Sequence, residues 1–198
     1  MNDHFNFRRL FVSGFIATLV AGPALAISKG RAVKLVESLV DEISLMINSV
    51  KTETELTGIF EGIVAKYADM NVISRSTLGP RARGASDSEL RTFKKAFQRY
   101  FARKYSKQFL NFSGSQIILK DAQDRGKFFE VGASIIVNGS SNIDVNFRVS
   151  DRSGEPRFFD IILEGISLLA SERVEIGALL DNHQGDIGLL SKTIEELG

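Results

Sequence analysis

The sequence contains no cysteine and no tryptophan, and it has only two histidines and three prolines in 198 residues. Without cysteine there is no disulfide framework, no thiolate nucleophile and no sulfur ligand for a metal. His4 lies in a leader expected to be removed, so any histidine-dependent triad or histidine-rich metal centre would rest on His183 alone. That sets aside most hydrolase mechanisms and most zinc chemistry. His183 stands among Asp181, Asn182 and Gln184, the setting of a polar loop residue. No catalytic residue, metal or cofactor is expected.

An excess of one charge is also missing. There are 25 basic and 24 acidic residues, a formal net charge of +1. A neutral chain of this kind argues against a general nucleic-acid binder. No internal repeat, low-complexity tract or long linker is present, and the length suits one sizeable core.

The one long apolar run is at the start. Arg8 and Arg9 precede the mostly apolar stretch Leu10 to Val20, and Ala24-Leu25-Ala26 has the small-x-small pattern of a signal-peptidase site. The run is short for a membrane span and is broken by Gly22-Pro23. We read residues 1–26 as a cleaved export signal and 27–198 as the mature domain. Removing Asp3, Arg8 and Arg9 with it leaves 23 basic and 23 acidic residues. Lack of disulfides does not argue against export, because a domain of about 172 residues can be stabilised by its core.

Past the leader, apolar residues recur at helical spacing from about Gly30 to Val50, with Val36, Leu39, Val40, Ile43, Met46 and Ile47 on one side. Thr52–Thr57 punctuates, and a second helix carries Leu56, Ile59, Phe60, Ile63 and Tyr67. Asp69 can cap a short third helix, Met70–Leu78, ended by Gly79-Pro80. Ser86-Asp87-Ser88-Glu89 is a capping box that opens a long helix to about Asn111. One side of that helix holds Leu90, Phe93, Phe97, Tyr100, Phe101, Tyr105 and Phe109. The other holds Arg91, Lys94, Lys95, Arg99, Arg103, Lys104 and Lys107, with no acidic residue between Glu89 and Asp121.

The period then changes to two. Gln116–Lys120 reads as a short strand. Phe129, Val131, Ala133, Ile135 and Val137 alternate in a second, and Asn138-Gly139-Ser140-Ser141 makes a turn. Ile143, Val145, Phe147 and Val149 alternate with polar residues in a third, the mark of a sheet with one dry face. Arg157–Leu163 is the last strand. Glu164-Gly165-Ile166-Ser167 is expected to leave the sheet and enter a helix through about Asp181, and Asp186 to cap a final one. The fold class is α+β: helices, a curved antiparallel meander of about four strands, then helices.

Phenylalanine is abundant, at 15. Aromatic and branched residues on both the sheet face and the long helix suit an apolar pocket, although periodicity alone does not separate pocket lining from ordinary core.

The run DIILEGISLLASERVEIGALLDNHQGDIGLLSKTIEEL, Asp160–Leu197, resembles the C-terminal signature of the MlaC, or toluene-tolerance, family of periplasmic phospholipid carriers. Upstream, Leu78-Gly79 and the Phe93, Phe97, Tyr100 cadence of the long helix resemble the same family. The similarity runs from about Val33 to the end. It departs after Leu78-Gly79, where the family often has an aromatic and this chain has Pro80-Arg81-Ala82-Arg83.

The resemblance implies a cone-like fold related to nuclear transport factor 2, with acyl chains inside and the headgroup at the mouth. Lining residues would be Phe93, Phe97 and Phe101 on the long helix and Val131, Ile135, Val145, Phe147, Phe159, Ile161, Leu163 and Ile166 on the sheet and its final turn. Gly165 would permit a sharp strand-to-helix corner, and Glu164 would satisfy donors at the start of that helix. Phospholipid would be cargo, not cofactor. The implied role is the substrate-binding component of an inner-membrane ABC transporter complex, exchanging lipid with an outer-membrane lipoprotein complex to maintain outer-membrane lipid asymmetry. Lys94, Lys95 and Arg99 would meet a partner or an anionic membrane surface. Two alternatives stand beside this. One is a proton-transfer enzyme of the steroid-isomerase kind, using Asp160 or Glu164 with Tyr100 or Tyr105. The other is an interaction module with a filled core.

Overall fold

A computed structural model describes residues 27–49, 52–109, 112, 114–137 and 142–197. The expected export signal and the turn at 138–141 lie outside the described residues. Among the described residues three helices come first: α1 (Lys29–Ser49), α2 (Glu53–Tyr67) and α3 (Met70–Leu78). A 3-10 turn, Gly79–Arg83, leads to α4 (Asp87–Phe109). The sheet follows as β1 (Gln116–Asp124), β2 (Phe129–Ile136), β3 (Ile143–Ser150), β4 (Arg157–Leu163) and β5 (Ile166–Ser167). Helices α5 (Leu168–Asn182) and α6 (Ile187–Glu196) complete it. The five strands are antiparallel and lie in chain order.

Short polar side chains set the helix starts. Thr52 Oγ1 accepts from the Glu55 amide at 3.3 Å, so α2 begins inside the stretch read from sequence as punctuation. Asp69 accepts from the Val72 amide at 3.1 Å and Asp186 from the Leu189 amide at 2.9 Å. At the start of α4 the capping box is complete. Ser86 Oγ accepts from the Glu89 amide at 3.2 Å, and Glu89 Oε2 accepts from the Ser86 amide at 2.8 Å.

Two bulges shape the sheet. In β1, Leu119 pairs with Ala133 but Ala122 pairs with Val131, so Lys120 and Asp121 together oppose Gly132. A Cβ at Gly132 would crowd Lys120 Cβ at 3.1 Å and Asn146 Oδ1 at 3.3 Å, so a side chain there would press on both neighbours. In β4, Asp160 pairs with Arg148 but Phe158 pairs with Val149, leaving Phe159 as the extra residue.

The turn after β4 differs from the sequence expectation. Glu164 and Gly165 have φ of 48° and 81°, and Leu163 pairs with Ile166 across them. Two consecutive positive φ values in a two-residue loop are the pattern of a type I′ hairpin. The chain therefore turns back into the sheet as β5 before α5 begins, and the meander has five strands. Glu164 does not cap α5. Its carboxylate accepts from the Asp144 amide, and its own amide donates to Asp144 O at 3.0 Å. Ser167 caps α5 instead, accepting from the Ala170 amide at 3.0 Å.

The core lies between one face of the sheet and the helices. Helix α1 crosses β1 to β3, α4 lies against α2 and α6, and α5 lies against α3 and β4. Val131, Val145, Phe147, Val149 and Phe158 face inward. The outer face carries charge: Arg148 bridges Glu130 and Asp160, each at 3.2 Å.

Candidate functional site

The inner face of the sheet and the helices enclose an apolar cavity of about 110 Å³. Leu39, Val40 and Ile43 of α1 and Phe60, Ile63 and Val64 of α2 form one wall. The C-terminal part of α4 adds Phe101, Tyr105, Gln108 and Phe109, and Phe112 follows it. The strands contribute Ile117, Ala133, Ile135, Val145, Phe147, Phe158, Ile161 and Leu163, and Leu168 of α5 completes the lining. Gln108 and the Tyr105 hydroxyl are the only polar side-chain groups in that set.

Six of the eleven lining residues expected from sequence are here: Phe101, Ile135, Val145, Phe147, Ile161 and Leu163. The other five are elsewhere, each for a physical reason. Phe93 and Phe97 are fully buried and stacked 5.7 Å apart, but they lie in the solid core. At 1.5 Å rise per residue, Phe93 is about 24 Å along α4 from Phe109, so one helix face spans both core and cavity. Val131 is likewise buried away from the cavity, beside the β1 bulge. The β4 bulge exchanges Phe159 for Phe158. Phe159 turns outward, edge-on to Phe128 at 5.4 Å and beneath the Arg152 guanidinium. Ile166 is 63% exposed on β5.

Sequence reasoning passed over the α1 and α2 walls. Their stripes are visible as amphipathic helices, but nothing in a stripe distinguishes a side chain facing a void from one facing its neighbour.

Beside the cavity lies a polar cluster between α4 and α5. Tyr105 Oη donates to Glu172 Oε1 at 2.6 Å, and Lys104 Nζ donates to the same oxygen at 2.7 Å. Lys104 also bonds Glu175, which accepts from Tyr100 Oη at 2.6 Å. Glu172 is 1% exposed, and its Oε2 has no hydrogen-bond partner among the described residues. Burial, reinforced by the adjacent carboxylates, pushes both tyrosine hydroxyls well above their ordinary pKa. Burial works against ionised Glu175, but its bonds from Lys104 and Tyr100 prevail and hold it below the usual carboxylate value.

The carboxylate–tyrosine pairs expected for proton transfer do not form. Asp160 is buried on the outer side of the sheet, accepting from Ser167 Oγ, the Leu169 amide and Arg148. Glu164 is exposed at the hairpin. Tyr100 and Tyr105 turn instead to Glu175 and Glu172, which sequence reasoning had not singled out. Among the described residues, the cavity lining holds no carboxylate.

The basic side of α4 has acidic neighbours after all, supplied by other helices. Arg99 lies 3.9 Å from Glu61 and 3.6 Å from Glu195, and Lys107 lies 3.1 Å from Glu53. Arg103 donates to the carbonyls of Ile194, Glu195 and Leu197 and so closes the end of α6. Lys94 donates to Asn71 at 2.9 Å. Arg91 and Lys95 remain exposed, without an ion pair among the described residues. His183 is at the end of α5, 2.8 Å from Thr193 Oγ1. No metal-binding group of acidic and histidine side chains occurs among the described residues, and no described helix is long and apolar enough to cross a membrane.

A search of curated proteins finds no match. Among solved structures, the chain is similar to a phospholipid-binding protein from Ralstonia solanacearum, solved in complex with a phospholipid. The TM-score is 0.72 at 16% identity, over 83% of this chain and 95% of that one. At that identity the likeness establishes the fold. The family described as MlaC protein matches residues 37–196, nearly the whole described chain. With that match over helices, sheet and cavity alike, this chain belongs to the MlaC family.

Proposed function

We propose that the protein is a periplasmic carrier that holds a phospholipid by its acyl chains in the cavity, with the headgroup at the mouth. It would exchange that lipid with an inner-membrane ABC transporter complex and an outer-membrane lipoprotein complex, and so help maintain outer-membrane lipid asymmetry. The observation that carries the reading is the cavity itself: a hollow within the core whose lining, among the described residues, is apolar except for Tyr105 and Gln108. Membership of the MlaC family and the fold shared with a protein solved around a phospholipid support it.

The energetics suit exchange. Two tails of roughly fifteen methylenes gain on the order of 20 kcal/mol over water at about 0.8 kcal/mol per methylene. A bilayer offers the same shelter, so transfer between membrane and protein is near balance and needs no chemical step. A lining without a carboxylate fits a carrier better than an acid–base enzyme. The cavity, at about 110 Å³, is smaller than the roughly 300–1,000 Å³ of sites that enclose a drug-sized ligand. Holding two acyl chains would require the helices and the sheet to move apart on loading.

Solvent extraction of the purified protein followed by lipid mass spectrometry tests this. Phospholipid near one molecule per chain is expected; protein that emerges free of lipid, and that takes none up from vesicles, would refute the carrier reading.

A further inference from the structure

A second recess lies where α1, the end of α2 and the β3–β4 turn meet. It is an open groove of about 620 Å³ and shares no lining residue with the apolar cavity. Four cations border it: Arg31 and Lys34 from α1, Lys66 from α2 and Arg157 from β4. Among the described residues, Glu155 is the one carboxylate in the lining.

The cations are not equivalent. Lys66 is engaged by Glu42. Arg157 donates to the carbonyls of Ala65 at 3.0 Å and Lys66 at 2.9 Å, which fixes the guanidinium in place, and its other nitrogen is 3.7 Å from Glu155. Arg31 and Lys34 are exposed and make no ion pair among the described residues. Helix stability does not account for them. With Lys29 they crowd cations into the opening of α1, where no acidic residue balances the first turn and the helix dipole is already positive. Overall charge does not account for them either, because the chain carries only +1.

The lining also includes Leu35, Tyr67 and Pro156. Cations set around apolar residues suit a chain that alternates carboxylates with apolar side chains better than a uniformly anionic surface. We propose that the groove docks an acidic segment of a partner polypeptide, with carboxylates on Arg31, Lys34 and Arg157 and an apolar side chain between them. This goes beyond lipid carriage and does not depend on it.

The probe is a fluorescein-labelled peptide of alternating Glu, Asp and Leu, followed by anisotropy on the intact protein at low and high salt. Salt-sensitive binding is expected, weakened about ten-fold or more by R31E/K34E and left unchanged by the equal charge reversal K127E/K192E on other exposed lysines. R31A/K34A gives an intermediate loss, and circular dichroism verifies that each variant is folded. Lipid content by extraction stays at the wild-type level in R31E/K34E, which separates this groove from the cavity. Failure of the peptide to bind at millimolar concentration overturns the proposal, as does equal loss in R31E/K34E and K127E/K192E. So does flotation with phosphatidylglycerol vesicles that requires Arg31 and Lys34 while the peptide is ignored.

Discussion

The hydroxyl of Tyr105 donates to Glu172 Oε1 at 2.6 Å, and through that bond a ring in the cavity wall is tied to α5. Glu172 is almost wholly buried, and among the described residues only one of its carboxylate oxygens has hydrogen-bond partners. Removing the Tyr105 hydroxyl leaves that oxygen with Lys104 alone. Tyr105→Phe is expected to lower stability by about 1.5–3 kcal/mol, the range for a hydrogen bond to a charged group. Glu172→Ala is expected to cost a similar amount, since Lys104 is partly solvated and keeps Glu175. Urea midpoints measure both, and midpoints equal to wild type would show that the bond is inconsequential.

The same cluster sets an alkaline limit. Tyr100 and Tyr105 titrate higher in the folded protein than their ordinary value of 10.0, because burial disfavours the phenolate. A raised pKa contributes stability that is complete below the unfolded value and is lost as pH climbs beyond it. Stability is therefore expected to fall above about pH 10, less steeply in Tyr105→Phe. Thermal midpoints from pH 8 to 11 in roughly half-unit steps would show it, and parallel curves for the two proteins would contradict it.

Ala133 lines the cavity from β2, opposite α1, and is 1% exposed. Ala133→Phe places a ring where an acyl chain would lie. Overpacking is expected to cost about 1–3 kcal/mol while the fold survives. Lipid recovered per mole of protein should drop several-fold. Undiminished lipid in a folded variant would place the cargo elsewhere.

Gly165 holds φ at 81° in the β4–β5 hairpin, and Glu164 holds 48° beside it. Gly165→Ala is expected to destabilise by about 1–2 kcal/mol, the penalty of left-handed backbone for a residue with a Cβ. Glu164→Asn should cost less, because asparagine tolerates that conformation. Equilibrium unfolding ranks them, and a more stable Gly165→Ala would mean the turn is not of this type.

On the basic side of α4, Lys95 makes no ion pair among the described residues, while Arg99 is shared between Glu61 and Glu195. Reversing Lys94, Lys95 and Arg99 to Glu is expected to slow lipid transfer between donor and acceptor vesicles and to leave bound lipid intact. Unchanged transfer would remove this face from any partner contact.

Much of the fold was legible because its signals are local. A Ser86–Glu89 capping box, an Asp69 cap and an alternating β3 act within a few residues, and each appears in the structure where spacing placed it. The candidate site was less legible. Phe93, Phe97 and Phe101 share one helix face, yet only Phe101 reaches the cavity, since where the hollow ends depends on α1 and α2. Phe159 was misplaced because the bulge makes Phe158, in its place, the inward neighbour of Ile161 and Leu163.

By itself the sequence determined the class of the fold, the order of its elements, the absence of cysteine chemistry and the apolar surplus, because composition and periodicity are properties of the chain taken a few residues at a time. Only the tertiary structure decided that α1 and α2 wall a cavity, that Glu172 and Glu175 pair with the tyrosines of α4, and that acidic residues from three helices interrupt its basic side. Those are meetings between residues far apart in the chain, and their geometry exists only once the helices have closed over the sheet.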